Sequence, residues 1–190
     1  MRVLLSTAWL LAALFLSACA EPPHKEMDQA QGAIDASRAA GAERYAADEY
    51  GAATLALKHS NDAAATGDYR LALNNALESL EQARNAARAA ADAKARVSAE
   101  VERDMADIAA LLAQANTRTA AATRARVPAR QLREPGDTIA AANVDVQKAG
   151  EAIKADDYLS ARTALEGVKE RMNTALAAID EAIAARTRRR

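Results

Sequence analysis

A long stretch without helix-breaking residues is the feature that most limits what this chain can fold into. No glycine or proline occurs between Asp68 and Val127. Apolar residues recur there at alternating intervals of three and four, which is the spacing of one face of an α-helix. The pattern favours one long helix, and two helices with a break between Lys94 and Ser98 are the alternative.

The composition favours helices in the rest of the chain as well. Hydrophobic residues make up 51% of the sequence but aromatic residues only 3%, and alanine and long straight-chain residues are good helix formers. We therefore predict an all-α fold of antiparallel helical hairpins or small bundles, built along one long central helix. Because each alanine buries little surface, such a core depends on the close approach of helix backbones.

Glycine and aspartate mark the ends of two shorter helices before the long one. We predict a first helix from Lys25 to Ala40 and a second from Ala47 to Thr66. Gly67 ends the second helix, and Asp68 is placed to cap the long helix that follows.

Prolines and acidic residues mark the joints after the long helix. Pro128, Pro135 and Gly136 predict a loop, with Asp137 capping the next helix. The last helix is expected to run without a break from Tyr158 to Ala182, because apolar residues keep helical spacing over that length.

Two short segments form a weak internal repeat. They are Gly67-Asp68-Tyr69-x-x-Ala72 and Asp156-Asp157-Tyr158-x-x-Ala161. In each copy an aspartate can cap a helix, and the next tyrosine can fold over the preceding hairpin. The pattern resembles the turn of tetratricopeptide-type helical hairpins. We take Tyr50, Asp68, Tyr69, Asp157 and Tyr158 as structural hairpin positions.

The N-terminal sequence carries the features of a secretory signal that ends at a cysteine. Arg2 precedes an apolar run too short to span a bilayer, which ends in Leu16-Ser17-Ala18-Cys19. This motif resembles the lipobox of bacterial lipoproteins. The resemblance implies cleavage before Cys19, a diacylglycerol on its sulfur, and a further acyl chain such as palmitate on the new amino group.

Lipidation sets the expected location and the expected domain boundaries. Ala20 differs from the aspartate that resembles an inner-membrane retention signal, so we expect the inner leaflet of an outer membrane, facing the periplasm. The predicted boundaries are a signal peptide at 1–18, a lipid-anchored tether at 19–26, an N-terminal hairpin with the first half of the long helix at 27–97, the second half with a C-terminal hairpin at 98–187, and a basic tail at 188–190.

Several motifs between Met27 and Lys94 carry a further resemblance. They are Gly41-Ala42-x-x-Tyr45-Ala46-x-x-Glu49-Tyr50-x-x-Ala53, then Leu57, then Gly67-Asp68-Tyr69-x-x-Ala72. Together they resemble a family of bacterial domains of unknown function, found on lipoproteins and sometimes ahead of peptidoglycan-binding OmpA-type domains. The family usually has Ala-Pro after the first tyrosine, where this chain has Ala46-Ala47. The resemblance implies no catalytic residue, and cell-wall binding is not carried over.

The residue types needed for catalysis do not occur in recognisable patterns. His24 lies in the tether, and His59 has only Asp62 as a nearby candidate ligand. The glycines do not have the spacing of a phosphate-binding loop. The formal net charge of −1 gives no overall attraction for nucleic acid. We predict a non-catalytic protein with no metal, no cofactor and no nucleic-acid partner.

Arginines are concentrated in two parts of the C-terminal half. They are Arg118, Arg124, Arg126, Arg130 and Arg133 around Pro128, and Arg186, Arg188, Arg189 and Arg190 at the C-terminus. A basic end formed by both groups would suit anionic lipid, lipopolysaccharide or the acidic glycan of the wall. A solvated loop and a frayed tail are the plainer alternative.

Three functions fit these observations. The first is a lipid-anchored periplasmic scaffold that binds a protein partner or itself, through a coiled-coil stripe at Val97, Val101, Ile108 and Leu112 if that stripe is exposed. The second is a carrier or sensor with an apolar ligand cavity near Tyr50, Tyr69 and Leu57. The third is a membrane-to-wall spacer that uses the basic end. We favour the first.

Overall fold

The structure is a computed structural model, and it describes residues 21–188. Every regular element in this part of the chain is a helix, so the all-α fold class is confirmed. The helices are α1 (His24–Ala39), α2 (Ala42–Tyr45), α3 (Ala47–Ala65), α4 (Tyr69–Arg124), α5 (Ala129–Lys154), α6 (Tyr158–Leu165) and α7 (Val168–Arg188). The stretch without glycine or proline forms the single helix α4. The predicted signal peptide at 1–18, Cys19, Arg189 and Arg190 lie outside the described residues.

The chain divides into two compact units at Ala93/Lys94, whereas the sequence analysis placed a boundary at 97/98. Unit 1 contains α1, α2, α3 and the part of α4 up to Ala93. Unit 2 contains the rest of α4 with α5, α6 and α7. Each unit is therefore a small bundle that uses part of the long helix.

The core of unit 1 is built almost entirely from small side chains. One cluster consists of Ala30, Ile34, Ala53, Leu57 and Ala83, and a second of Ala42, Ala46, Ala86 and Ala90. The short helix α2, which the sequence analysis did not predict, contributes Ala42 to the second cluster. Alanines at these positions leave room for the helix backbones to pack closely.

Two buried serines fasten α3 and α4 to each other in unit 1. Ser60 Oγ donates to the carbonyl of Ala72 at 2.7 Å, and Ser79 Oγ donates to the carbonyl of Ala53 at 2.8 Å. The two bonds lie seven residues apart on each helix and run in opposite directions across the interface. A hydroxyl reaches a backbone carbonyl of the neighbouring helix only when the helices are close. We term this pair of bonds the serine clasp.

The core of unit 2 contains larger side chains than that of unit 1. Val101, Ile108, Val168, Met172 and Ile179 are at most 1% exposed. Lys169 binds Asp104 and, further along both helices, Arg118 binds Asp180. The order of these ion pairs shows that α4 and α7 run parallel in unit 2, with α5 connecting them.

The predicted loop at Pro135 and Gly136 is wrong. Both residues lie inside α5, which begins directly after Pro128. Proline in a helix interior removes one backbone hydrogen bond, but Pro135 is buried here. Leu132 and Ile139, on either side of it, pack against the buried core of the unit. Tertiary packing therefore outweighs the local preference for a break.

The prediction of an unbroken last helix is also wrong. The chain forms α6 and α7, separated by Glu166 in an extended conformation and Gly167 with a φ of +68°. Leu165 and Val168, on either side of the break, are both buried. The apolar spacing therefore continues across the break, which is why the sequence pattern did not reveal it.

The same turn joins α3 to α4 and α5 to α6. Each turn has a residue with positive φ, Gly67 in the first and Asp156 in the second. The next residue is an aspartate whose N–H bonds to a carbonyl five residues back, as in a Schellman motif. The carboxylates of Asp68 and Asp157 then accept the N–H groups of the third residues on, at 3.0 and 3.1 Å.

The internal repeat extends well beyond this turn. Buried positions in the two units correspond at a constant offset of 89 residues. The pairs are Ala53 and Ala142, Ser60 and Ala149, Ala72 and Ala161, Ala76 and Leu165, Ser79 and Val168, Ala83 and Met172, Ala86 and Ala175, and Ala90 and Ile179. The two units thus contain equivalent hairpins whose cores differ in side-chain size.

A third turn, between α4 and α5, also contains a residue with positive φ and allows the cost of this conformation to be measured. Arg126 has a φ of +58°, which costs a residue with a side chain about 1–2 kcal/mol. Glycine avoids this cost but loses more entropy on folding, so Arg126→Gly is expected to raise the free energy of unfolding by about 0.5–1 kcal/mol in urea denaturation.

The matched control is the same change inside a helix. Arg133→Gly in α5 is expected to lower the free energy of unfolding by about 1 kcal/mol. Equal losses in both variants would contradict the left-handed conformation of Arg126.

Candidate functional site

The stripe predicted for partner binding is not a surface of the folded chain. Val101 and Ile108 are fully buried, and Val97 is 8% exposed. Leu112 is half-buried. Three of the four residues are covered by other parts of the same chain, so the exposure on which this partner-binding stripe depends is not found at Val97, Val101 and Ile108.

In the region of the predicted ligand cavity, the structure has an open groove beside Leu57. The groove beside Leu57 has a volume of about 280 Å³, opens to solvent, and has polar residues such as Gln31, Lys58 and Asn61 in its lining. Tyr50 packs against both core clusters of unit 1, and the guanidinium of Arg38 lies 5.6 Å from the centre of its ring. These contacts give Tyr50 a structural role.

The surface of unit 1 also has an open groove along one face of α4. Leu77, Leu80 and Ala87 line it together with charged residues, and its volume is about 680 Å³. Leu77 is 47% exposed, so a large apolar side chain is available to solvent there. The sequence analysis did not select this face, because leucines on a helix do not by themselves reveal which neighbours cover them.

In unit 2, α5 and α7 border two adjoining grooves lined by charged residues. Their volumes are about 480 and 320 Å³, and both are lined by Glu134, Thr138 and Arg171. Arg171 donates to Asp145 at 2.6 Å across the two helices. This guanidinium is therefore neutralised within the protein.

A second charged contact in unit 2 joins α4 and α7. Lys169 Nζ donates to Asp104 at 2.7 Å and lies 3.5 Å from Asp107. The hydrogen bond to Asp104 is the main cause that raises the pKa of Lys169 above its ordinary value. The contact stabilises the ammonium and holds the parallel helices in register.

The densest positive charge of unit 2 lies where α4 ends, α5 begins and α7 ends. The residues there are Arg124, Arg126, Arg130, Arg133, Arg186 and Arg188. A cluster that includes Val127, Leu132, Ile179 and Ile183 holds these chain segments together. We term this surface the arginine-rich end.

The arginines of this end have no carboxylate partner among the described residues, in contrast to five other cations of the same unit. The paired cations are Lys94, Arg118, Lys148, Lys169 and Arg171. Arg124 and Arg188 donate only to backbone carbonyls of their own helices. Arg118, which the sequence analysis placed in the basic end, binds Asp180 at 3.2 Å and is removed from it.

The described residues offer no grouping of three or more histidines, cysteines or carboxylates that could hold a metal ion. Among residues 21–188, none of the helices combines the length and apolar composition needed to cross a bilayer. No protein-family model, curated protein or solved structure matches the chain.

Proposed function

We propose that the protein is a non-catalytic scaffold of the bacterial envelope, anchored by lipid at Cys19 and exposed to the periplasm of a two-membrane cell. The observation that carries this proposal is the position of the lipobox relative to the fold. The first described helix begins at His24, five residues after Cys19. Pro22 and Pro23 lie in that interval, so a short stiff tether joins the expected anchor to a helical bundle.

The surface of unit 1 supports the role of a scaffold better than that of a ligand carrier. The groove near Leu57 is open to solvent and has charged and polar residues beside its apolar ones, whereas a carrier is expected to enclose an apolar ligand. Three leucines of unit 1 are exposed to solvent, Leu55, Leu71 and Leu77, and Leu77 lies in the groove along α4. This face suits an apolar side chain from a protein partner or from a second copy of the chain.

The anchor is tested by expressing the full chain and its Cys19→Ser variant in the native bacterium. We expect the unchanged chain in the outer-membrane fraction, with an N-terminal peptide carrying acyl chains in mass spectrometry. The Cys19→Ser variant is expected to leave that fraction, since it has no sulfur for the diacylglycerol. The control Ala20→Ser should remain in the membrane. Equal distribution of all three chains would contradict the anchor.

The same cells test the scaffold. A photo-cross-linking residue at Leu77 is expected to give a defined protein adduct, whereas one at the exposed Lys58 of α3 should not. Adducts of equal yield at both positions, or at neither, would contradict a partner-binding face on α4.

A second candidate function, a spacer that touches an anionic surface, is favoured by the arginine-rich end. Unit 2 gathers there six guanidinium groups that no described carboxylate neutralises. The structure of unit 1 offers no comparable cluster among its described residues.

A further inference from the structure

The arginine-rich end of unit 2 differs from the rest of the charged surface in the composition of the chain segments that carry its arginines. The whole chain has 25 basic and 26 acidic residues. Nevertheless, the segments 119–133 and 182–188 each contain arginines and no acidic residue. Apolar contacts involving Leu132 and Ile183 bring these segments to one place. The fold thus creates a local positive surplus that net charge does not reveal.

This surplus is available for a partner outside the chain. Five of the six side chains are exposed, and the sixth, Arg186, is half-buried. Arg186 Nε is enclosed by protein and has no acceptor there. The carboxylates of Glu134 and Asp137 share a groove with Arg130 and Arg133, and Glu181 lies five residues before Arg186, but none of these carboxylates forms an ion pair with the six arginines. An external anion can therefore bind these arginines without breaking an ion pair inside the protein.

We infer that the arginine-rich end binds the anionic phospholipid surface of a membrane, as a second attachment besides the expected anchor at Cys19. The guanidinium group matches phosphate oxygens in a two-pronged geometry. The arginines come from the end of α4, the turn after it, the start of α5 and the end of α7, so they are spread over one end of the bundle, which suits a surface of many headgroups. Leu132 and Ile183 are partly exposed among them. Apolar side chains can enter the interface of a lipid membrane, whereas the polar glycan of the cell wall has no apolar layer to contact.

The inference goes beyond the scaffold function and does not require acylation of Cys19. Its test uses the chain from Ala20 onward, which retains every described helix but has no lipid anchor. The chain is sedimented with vesicles of phosphatidylglycerol and phosphatidylcholine and, separately, with vesicles of phosphatidylcholine alone. We expect binding to the anionic vesicles only, and a decrease in binding as salt is raised from 0.05 to 0.5 M, values chosen because screening grows strongly over about this range.

Two variants with the same change in net charge distinguish binding through the arginine-rich end from attraction by the overall charge of the chain. The test variant carries Arg126→Gln, Arg130→Gln, Arg133→Gln and Arg188→Gln. The control carries Arg84→Gln, Arg88→Gln, Arg96→Gln and Arg103→Gln, at exposed positions of α4. Each basic residue near an anionic surface contributes about 1 kcal/mol, or about fivefold in affinity, so we expect the test variant with four such losses to bind about a hundredfold more weakly or worse and the control to change by less than about threefold.

Several results would overturn the inference. Equal loss of binding in both variants would assign it to overall charge. Equal binding to both kinds of vesicle would remove the role of net negative surface charge, because phosphatidylcholine carries a phosphate but no net charge. Sedimentation with purified cell-wall sacculi in place of anionic vesicles would reassign the surface to the wall. Circular dichroism of each variant shows whether a loss of binding comes from unfolding, and a variant that unfolds is replaced by its single Arg130→Gln and Arg133→Gln forms.

Discussion

The Ile108→Ala variant is expected to lose about 2–5 kcal/mol of unfolding free energy. Ile108 is fully buried in α4 and is the largest of the completely enclosed side chains. Removing three carbon atoms takes away their transfer free energy and leaves a cavity that the surrounding helices close only partly. Urea denaturation followed by far-ultraviolet circular dichroism measures the loss, because the only tryptophan, Trp9, lies in the expected signal peptide.

The control for Ile108 is a large apolar residue on the surface of the same unit. Val144 is 48% exposed, and Val144→Ala is expected to change the unfolding free energy by less than about 0.5 kcal/mol. If Ile108→Ala kept full stability but turned a dimer into a monomer, Ile108 would belong to an association surface and its burial within the chain would be contradicted.

The second large effect concerns the serine clasp of unit 1. We expect Ser79→Leu to lower the unfolding free energy by about 2–4 kcal/mol, because it adds bulk at a close helix contact and removes a buried hydrogen bond. Ser79 is fully buried, and its hydroxyl reaches the carbonyl of Ala53 on α3. Denaturation by urea again gives the measurement.

Two companion variants separate the contributions. Ser79→Ala removes the hydrogen bond but keeps the small volume, so we expect a loss of about 1 kcal/mol. Glu78→Leu adds the same leucine on the exposed neighbouring position and is expected to be nearly neutral. A Ser79→Leu variant no less stable than Ser79→Ala would show that the helices are not held closely at this point.

Much of the helical layout could be predicted because glycine and capping residues have strong local effects. The end of α3 shortly before Gly67 and the start of α4 at Tyr69 follow from a positive φ and an aspartate cap, which need only neighbouring residues. The position of Pro135 within α5 could not be predicted in this way. It depends on contacts with residues distant in sequence, and those contacts outweigh the lost hydrogen bond.

The candidate functional surfaces could also be predicted only in part, because contacts between distant residues decide which side chains are exposed. Heptad spacing correctly identifies Val101 and Ile108 as one face of a helix, but spacing does not tell whether that face meets another part of the chain or a partner. The arginine clusters near Pro128 and at the C-terminus could be found in the sequence. The ion pair that removes Arg118 from this group could not be predicted, because its partner Asp180 is 62 positions away in the sequence.

The 89-residue repeat has a consequence for how the two halves of the chain can change over evolutionary time. Where unit 1 has Ala83 and Ala90, unit 2 has Met172 and Ile179. A contact between closely packed alanines leaves no space for a larger side chain, so its sequence is held nearly constant. A contact between larger side chains tolerates exchanges of similar volume. In two equivalent hairpins, the interior of unit 2 is therefore free to exchange side chains, while the close-contact positions of unit 1, such as Ala83 and Ala90, are confined to alanine, glycine and serine.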